Sequence, residues 1–157
     1  MSEQGSELKS EVVTDAGTGT RTVVVEKEFA HRPEKVWRAL TERDLIGQWL
    51  MENDFQLEVG RRFQLRLEPR PQWDGVIQSE VLVSEPCERL AYRWDALGIE
   101  TVVTWTLTRT AGGTLVRMEQ SGFGADHDAA YKGATYGWRG FFGKLETVVG
   151  ELDGEGV

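Results

Sequence analysis

The segment Gly137–Val149, GWRGFFGKLETVV, carries the strongest structural signal in the sequence, because its apolar residues recur with a helical period. At 100° per residue, the segment around it has one apolar face, and its charged residues lie opposite. This pattern predicts a long C-terminal helix whose apolar face must be covered by another element. The residues of that face are Ala130, Ala134, Trp138, Phe141, Leu145, Val148 and Val149, with Phe142 at its edge.

The predicted helix also carries four glycines, although an interior glycine costs a helix about 1 kcal/mol relative to alanine. The first is Gly133. Gly137 borders the apolar face, so we expect the helix backbone to lie close to a sheet there, without room for a methyl group. Gly143 lies among charged residues, where no packing reason is visible. We hypothesise that Gly140 and Gly143 soften the helix so that it can shift to admit a ligand.

Upstream of this helix, the apolar residues alternate with polar ones, which is the period of strands. The alternation starts at residue 21, and two short helical segments follow, the first beginning at Pro33. Further alternating segments run to Phe123, and residues 55–67 read as a hairpin that turns at Gly60. The order predicts an α+β fold. We expect a curved antiparallel sheet of about six or seven strands wrapped around the C-terminal helix, with two short helices after the first strand.

Length and composition limit the organisation and the partners. The 157 residues suffice for one domain with one core. Residues 1–20, rich in Ser, Thr, Gly and Glu, predict a disordered N-terminal tail, and residues 21–152 a single domain. The net charge of -8 argues against nucleic acid and anionic membrane surfaces as partners.

The sequence also predicts a cytoplasmic protein. No stretch approaches the roughly 18 apolar residues of a membrane span, and the first twenty residues do not read as a secretory signal. The single cysteine, Cys87, excludes an internal disulfide and is usual for a reducing compartment.

Residues for metal or cofactor chemistry are sparse. The two histidines, His31 and His127, fall in different predicted elements, and neither has Cys87 at a spacing typical of metal ligands. The glycines of GTGT, in the tail, precede a strand and therefore lack the context of a nucleotide-binding loop. We predict no metal site, no cofactor and no catalytic residue.

Eight local segments, in this order, resemble the START-like superfamily (SRPBCC or Bet v 1-like). Within it, they are most similar to the family named after the activator of Hsp90 ATPase. The resemblance covers roughly residues 22–150. The eight segments are EFAHRPEKVWRAL, LIGQWL, VGRRF, WDGVI, EPCERLAYRW, TVVTWTL, SGF and GWRGFFGKLE.

The resemblance implies a helix-grip fold, in which a curved sheet grips one long helix and leaves a cavity between them. Two positions depart from many relatives: Lys27 stands where they have arginine, and Gln120 where they have histidine. The change at Gln120 removes a titratable group.

The cavity that the resemblance implies makes the aromatic residues candidates for its walls. Tyr92 could supply a hydroxyl, Trp94 an indole N–H and Gln120 an amide to orient a ligand. We therefore predict a non-enzymatic protein that binds a small, mainly apolar molecule, aromatic ones included. The predicted ligand-binding residues are Trp49, Phe63, Leu65, Ile77, Tyr92, Trp94, Trp105, Gln120, Trp138 and Phe142.

Two alternatives remain open at this point. START-like relatives include cyclases and aromatases, and an enzyme of that type would need a buried titratable group with a shifted pKa in the same cavity. The family's name also implies a co-chaperone-like module with a chaperone or another protein as partner. Such a module would present an exposed apolar patch outside the cavity.

Overall fold

A computed structural model of the chain describes residues 8–14 and 19–152, with the backbone alone at residues 11–14. The described residues form three helices and one eight-stranded sheet. The helices are α1 (Pro33–Thr41), α2 (Arg43–Trp49) and α3 (Asp128–Glu151). The strands are β1 (Lys9–Thr14), β2 (Arg21–Phe29), β3 (Glu52–Asn53), β4 (Arg62–Arg66), β5 (Val76–Glu85), β6 (Arg89–Ala96), β7 (Ile99–Thr110) and β8 (Gly113–Phe123).

The strands lie in the order β1-β2-β8-β7-β6-β5-β4-β3, and every neighbouring pair is antiparallel. The curved sheet wraps around α3, with α1 and α2 inserted after β2. The predicted α+β helix-grip fold is therefore confirmed. The sheet has eight strands rather than six or seven because the sequence pattern did not predict β1 or the two-residue β3.

The predicted disordered tail, residues 1–20, is wrong at its centre. Lys9–Thr14 forms β1 and pairs antiparallel with β2, from Lys9 opposite Glu26 to Thr14 opposite Arg21. Strand pairing satisfies backbone N–H and C=O groups and does not require an apolar side-chain pattern, which is why composition missed it. Residues 1–7 and 15–18 lie outside the described residues.

The predicted hairpin at Gly60 is wrong in its first strand. Strand β4 forms as expected but pairs with β5, and the chain from Asp54 to Glu58 has no regular structure. In this segment, side-chain oxygens accept hydrogen bonds from two backbone N–H groups. The Asn53 side-chain oxygen accepts from the Phe55 N–H at 3.0 Å, and the Asp54 carboxylate accepts from the Gln64 N–H at 2.7 Å. The first of these bonds is local and competes with a strand ladder.

The C-terminal half of α3 is fixed by aromatic packing. Phe142 stacks on Trp105 of β7 at 5.5 Å between ring centroids and meets Phe29 of β2 edge-on at 6.2 Å. The Lys27 ammonium also contacts the Glu146 carboxylate at 2.6 Å. This half of the helix therefore has a closed core beneath it.

The N-terminal half of α3 is held in another way. Arg21, at the start of β2, donates a hydrogen bond of 2.9 Å to the Asp128 carboxylate and one of 3.2 Å to the Gly124 carbonyl. Its guanidinium also lies over the Tyr131 ring, 4.5 Å from the centroid. A charged clamp thus positions the half of the helix that borders the cavity described next.

Candidate functional site

A cavity of about 300 Å³ lies between the sheet and the N-terminal half of α3. Its helix wall begins with small residues at positions i, i+3, i+4 and i+7, which share one face of a helix. Trp138 and Phe141 complete this wall. The small residues are Ala130, Gly133, Ala134 and Gly137.

The remaining lining comes from one end of the sheet. It includes the ends of β6 and β8 and the starts of β5 and β7, which lie side by side because neighbouring strands are antiparallel. Met51 and two residues around the β4–β5 connection close the wall. The lining on this side is Met51, Leu67, Trp73, Ile77, Trp94, Ala96, Leu97, Ile99, Thr101, Gln120 and Phe123.

Glycine backbone geometry holds the β4–β5 connection against this wall. Gly75 has a φ of 82°, and its carbonyl accepts from the Leu67 N–H at 2.8 Å. A Cβ at Gly75 would stand 2.3 Å from the Leu67 carbonyl oxygen, so a side chain would force the two segments apart. The Trp73 indole N–H donates to the Val76 carbonyl at 3.2 Å, which fixes the ring at the cavity.

The cavity reaches the protein surface at two leucines. Leu67 is 39% exposed, and Leu97, in the turn between β6 and β7, is 62% exposed. Both side chains belong to the lining. An apolar molecule therefore has a route from solvent to the interior wall.

One polar cluster lies in this apolar wall. Gln120 is 3% exposed, and its side-chain oxygen accepts from the Trp138 indole N–H at 2.7 Å. Its amide donates to the Thr101 hydroxyl at 2.9 Å, and that hydroxyl donates to the Trp94 carbonyl at 2.7 Å. The cluster satisfies buried polar groups and fixes the Trp138 ring across the space between helix and sheet.

The lining of the cavity carries no ionisable side chain. None of its seventeen residues has an acidic or basic side chain. General acid–base catalysis needs a side chain that exchanges a proton with the reacting group, and this wall supplies none. A charged ligand would also lie unpaired in apolar surroundings, which is costly.

Four of the ten predicted ligand-binding residues line the cavity: Ile77, Trp94, Gln120 and Trp138. The other six are buried in the packed core beside it and are absent from its lining. They are Trp49, Phe63, Leu65, Tyr92, Trp105 and Phe142.

Ring contacts explain why the five aromatic residues among those six leave no space. Phe63 meets Tyr92 edge-on at 5.6 Å, and Trp49 meets Trp105 edge-on at 5.6 Å. The Tyr92 hydroxyl accepts from the Trp105 indole N–H at 3.0 Å, and burial raises the pKa of Tyr92. This hydroxyl, predicted to face a ligand, is instead a bonded group of the core.

Some of the lining residues missed from the sequence carried a usable signal. Leu67 lies two residues after Leu65, and Thr101 lies two and four residues before Val103 and Trp105. Residues at this spacing share one face of a strand, so both were on the face predicted to line the cavity. Alternation identifies a face but not the position along a strand where packing ends. Trp73 lies in an irregular loop, and the small helix residues give no apolar signal.

The expectation for Gly137 is wrong. A Cβ built at Gly137 meets no atom within 4 Å outside the neighbouring helix backbone, and the same holds at Gly133. The helix backbone is therefore not pressed against the sheet at these positions, because both glycines border the cavity. Gly140 and Gly143 are also open, but they lie outside the cavity lining.

The described histidines have local partners. The His127 ring accepts from the Gly124 N–H at 2.9 Å, and the His31 ring lies 3.4 Å from the Lys35 ammonium. In the described part of the chain, no three His, Cys, Asp or Glu side chains are grouped so as to hold a metal ion. Among the described helices, none is long and apolar enough to cross a membrane.

Comparison with known proteins places the chain in a family. Residues 30–150 match the family model described as Activator of Hsp90 ATPase homolog 1-like protein. The structure of MLL2253 from Mesorhizobium loti is 48% identical over 85% of this chain and 99% of that one, with a TM-score of 0.79.

Two further solved structures share the fold. BH1534 from Bacillus halodurans is 27% identical over 80% of this chain and 94% of its own, with a TM-score of 0.67. CalU16 from Micromonospora echinospora is 21% identical over 94% and 88%, with a TM-score of 0.73. The comparison with curated proteins finds no match.

Proposed function

The chain belongs to the Activator of Hsp90 ATPase homolog 1-like protein family, and on that premise we propose that it binds a small, uncharged, mainly apolar molecule without catalysis. The ligand would lie between the sheet and the N-terminal half of α3. One observation carries the proposal: this cavity, of about 300 Å³, has walls without an ionisable side chain.

The size and character of the cavity support a small ligand. Sites for small molecules are mostly apolar and measure about 300–1,000 Å³, so this cavity is at the lower limit. Three tryptophans, Trp73, Trp94 and Trp138, contribute to its walls. Flat aromatic walls favour a ligand with a ring, because rings gain energy from stacked and edge-on contacts.

Gln120 could orient such a ligand. A side-chain amide has two N–H donors, and the bond to Thr101 uses one of them. The second N–H can donate to a hydroxyl or carbonyl oxygen on the ligand. A ligand with one neutral polar group is therefore favoured over a pure hydrocarbon.

The two alternatives receive less support. A cyclase or aromatase acting by proton transfer would need an acid or base from outside the lining. A chaperone partner is suggested by the family's name. Of the exposed large apolar side chains among the described residues, Leu67 and Leu97 form the rim of the cavity, and Leu57, Val59 and Tyr136 lie outside its lining. A cytoplasmic location, suggested by the single cysteine, forms part of the same proposal.

The test is a titration of the protein with 2-naphthol and, separately, with 2-naphthoate at pH 7, followed by tryptophan fluorescence. Both molecules have the same two rings, but only the naphthoate is charged. We expect saturable binding of 2-naphthol and much weaker binding of the anion. Equal binding of the two, or binding of neither, would overturn the proposal.

A matched pair of helix variants separates the cavity from the surface. Ala134 lines the cavity, whereas Ala129, on the same helix, is exposed. Ala134→Glu places a carboxylate at the wall and should abolish 2-naphthol binding, and Ala129→Glu should leave it unchanged. Loss of binding in both variants, or in neither, would place the ligand elsewhere.

A further inference from the structure

The helix wall of the cavity is unusual in exposing backbone. At Gly133 and Gly137, one turn apart, no side chain separates the helix from the cavity, and a Cβ at either position would meet no atom within 4 Å. A methyl group there would project into open space rather than into the sheet.

We propose that Gly133 and Gly137 determine which ligands the cavity accepts, by leaving room for the second and third rings of a flat aromatic molecule. This inference rests on the proposed function and adds a size rule to it. The preferred ligands are uncharged fused-ring compounds, and single-ring compounds fill the cavity incompletely.

Neither backbone conformation nor close packing requires glycine at these two positions. Both lie within α3, and neither has a positive φ. Each interior glycine weakens a helix by about 1 kcal/mol relative to alanine, and no atom of the sheet occupies the space that a side chain would take. Gly137 is half-buried and Gly133 is exposed, and both belong to the lining, so a side chain at either position would enter the cavity or its mouth.

Because the cavity is small, an added methyl group at Gly133 or Gly137 should lower the affinity for a ligand that fills it. At about 300 Å³, a ligand with several rings must use most of the space. Inserting methyl groups into a well-filled site costs about 1–3 kcal/mol. A single-ring ligand leaves unfilled space and can move away from the new methyl group, so its affinity should change little.

The experiment measures the affinities of phenol, 2-naphthol and 9-phenanthrol, which share one hydroxyl and differ in ring number. They are titrated into the native protein, Gly133→Ala, Gly137→Ala and the control Gly140→Ala. Gly140 is also open, but it lies outside the cavity. All three substitutions should raise the Tm, since each removes a helix glycine, so any weaker binding cannot result from unfolding.

For Gly137→Ala we expect the affinity for the fused-ring ligand that fills the native cavity to fall about tenfold more than the affinity for phenol. Gly133→Ala should act in the same direction. Gly140→Ala should leave all three affinities within about twofold, because a softer helix would change the rates of entry and exit rather than the equilibrium affinity. If the native protein binds fused rings but Gly137→Ala discriminates as the native protein does, the size rule is wrong and the binding function stands. If the native protein binds none of the three, both proposals are wrong.

Discussion

The two halves of α3 lie under the same sheet but do different things. The C-terminal half inserts Phe142, Leu145 and Val149, all fully buried, into a closed core. The N-terminal half presents Ala130, Gly133, Ala134 and Gly137 to the sheet and leaves a cavity. Strand β7 runs past both regions, with Trp105 against Phe142 and Thr101 in the cavity wall, and the helix side chains change from large to small.

This comparison shows how a stable fold can keep an unfilled space. Fully packed interiors are the rule in proteins, and a cavity persists only where the surrounding elements are held by other contacts. Here the aromatic packing of one helix half anchors the element, and the Arg21 clamp positions the other half. Stability and binding are therefore expected to separate along a single helix.

Adjacent phenylalanines provide the strongest test of this separation. Phe142 is 1% exposed and stacks on Trp105, whereas Phe141 is half-buried and lines the cavity. Phe142→Ala should lower the free energy of unfolding by about 3–5 kcal/mol, and Phe141→Ala by less than half as much. Urea unfolding measures both changes. Equal losses would show that the phenylalanine at the cavity stabilises the fold as much as the phenylalanine in the core.

Substitution of Gln120, which bonds to α3 at the boundary between the two halves, should lower the stability of the fold. Its side-chain oxygen accepts from the Trp138 indole N–H at 2.7 Å in a buried setting. Gln120→Met keeps a similar shape but leaves that donor unpaired, which should cost about 1–3 kcal/mol of unfolding free energy. The indole N–H signal of Trp138 should move in the NMR spectrum. An unchanged stability would mean that solvent or another group replaces the amide.

The fold followed from the sequence much further than the site did. The helical face around Leu145 and the strand around Trp105 were predicted by periodicity, because burial imposes that periodicity. The cavity was predicted near the same large aromatics, yet those residues, such as Trp105 and Phe142, fill their own space. The helix wall of the cavity has no side chain at Gly133 and Gly137. A pattern of hydrophobic residues gives no signal at a glycine, so it could not predict this space.

Substitution of the glycines outside the cavity should change the free energy of unfolding by less, and should raise it. Gly140 and Gly143 are exposed and open, so replacement of both by alanine should raise the free energy of unfolding by about 0.4–1 kcal/mol each. If these residues let the helix shift, the double variant should also admit 2-naphthol more slowly in stopped-flow fluorescence. Unchanged or faster entry in the stabilised variant would end the moving-helix hypothesis.

The smallest effect concerns the charged clamp of the N-terminal half. The hydrogen bond from Arg21, and then that from Lys132, lower the pKa of the Asp128 carboxyl. A lowered folded-state pKa stabilises the fold above the ordinary carboxyl pKa of about 4 and loses that contribution as pH falls through the folded value. Asp128→Asn should therefore lower the Tm slightly at pH 7, and the difference should vanish at lower pH. A difference that stays constant with pH would contradict the ion-pair role.

The six tryptophans can report whether the ligand lies against the N-terminal half of α3. Each indole N–H gives one signal in a ¹⁵N NMR spectrum, and three of the six rings line the cavity. On titration with 2-naphthol, we expect the largest shifts at Trp73, Trp94 and Trp138, with small shifts at Trp37 and Trp49. Largest shifts at Trp37 or Trp49, or equal shifts at all six, would contradict this position of the ligand.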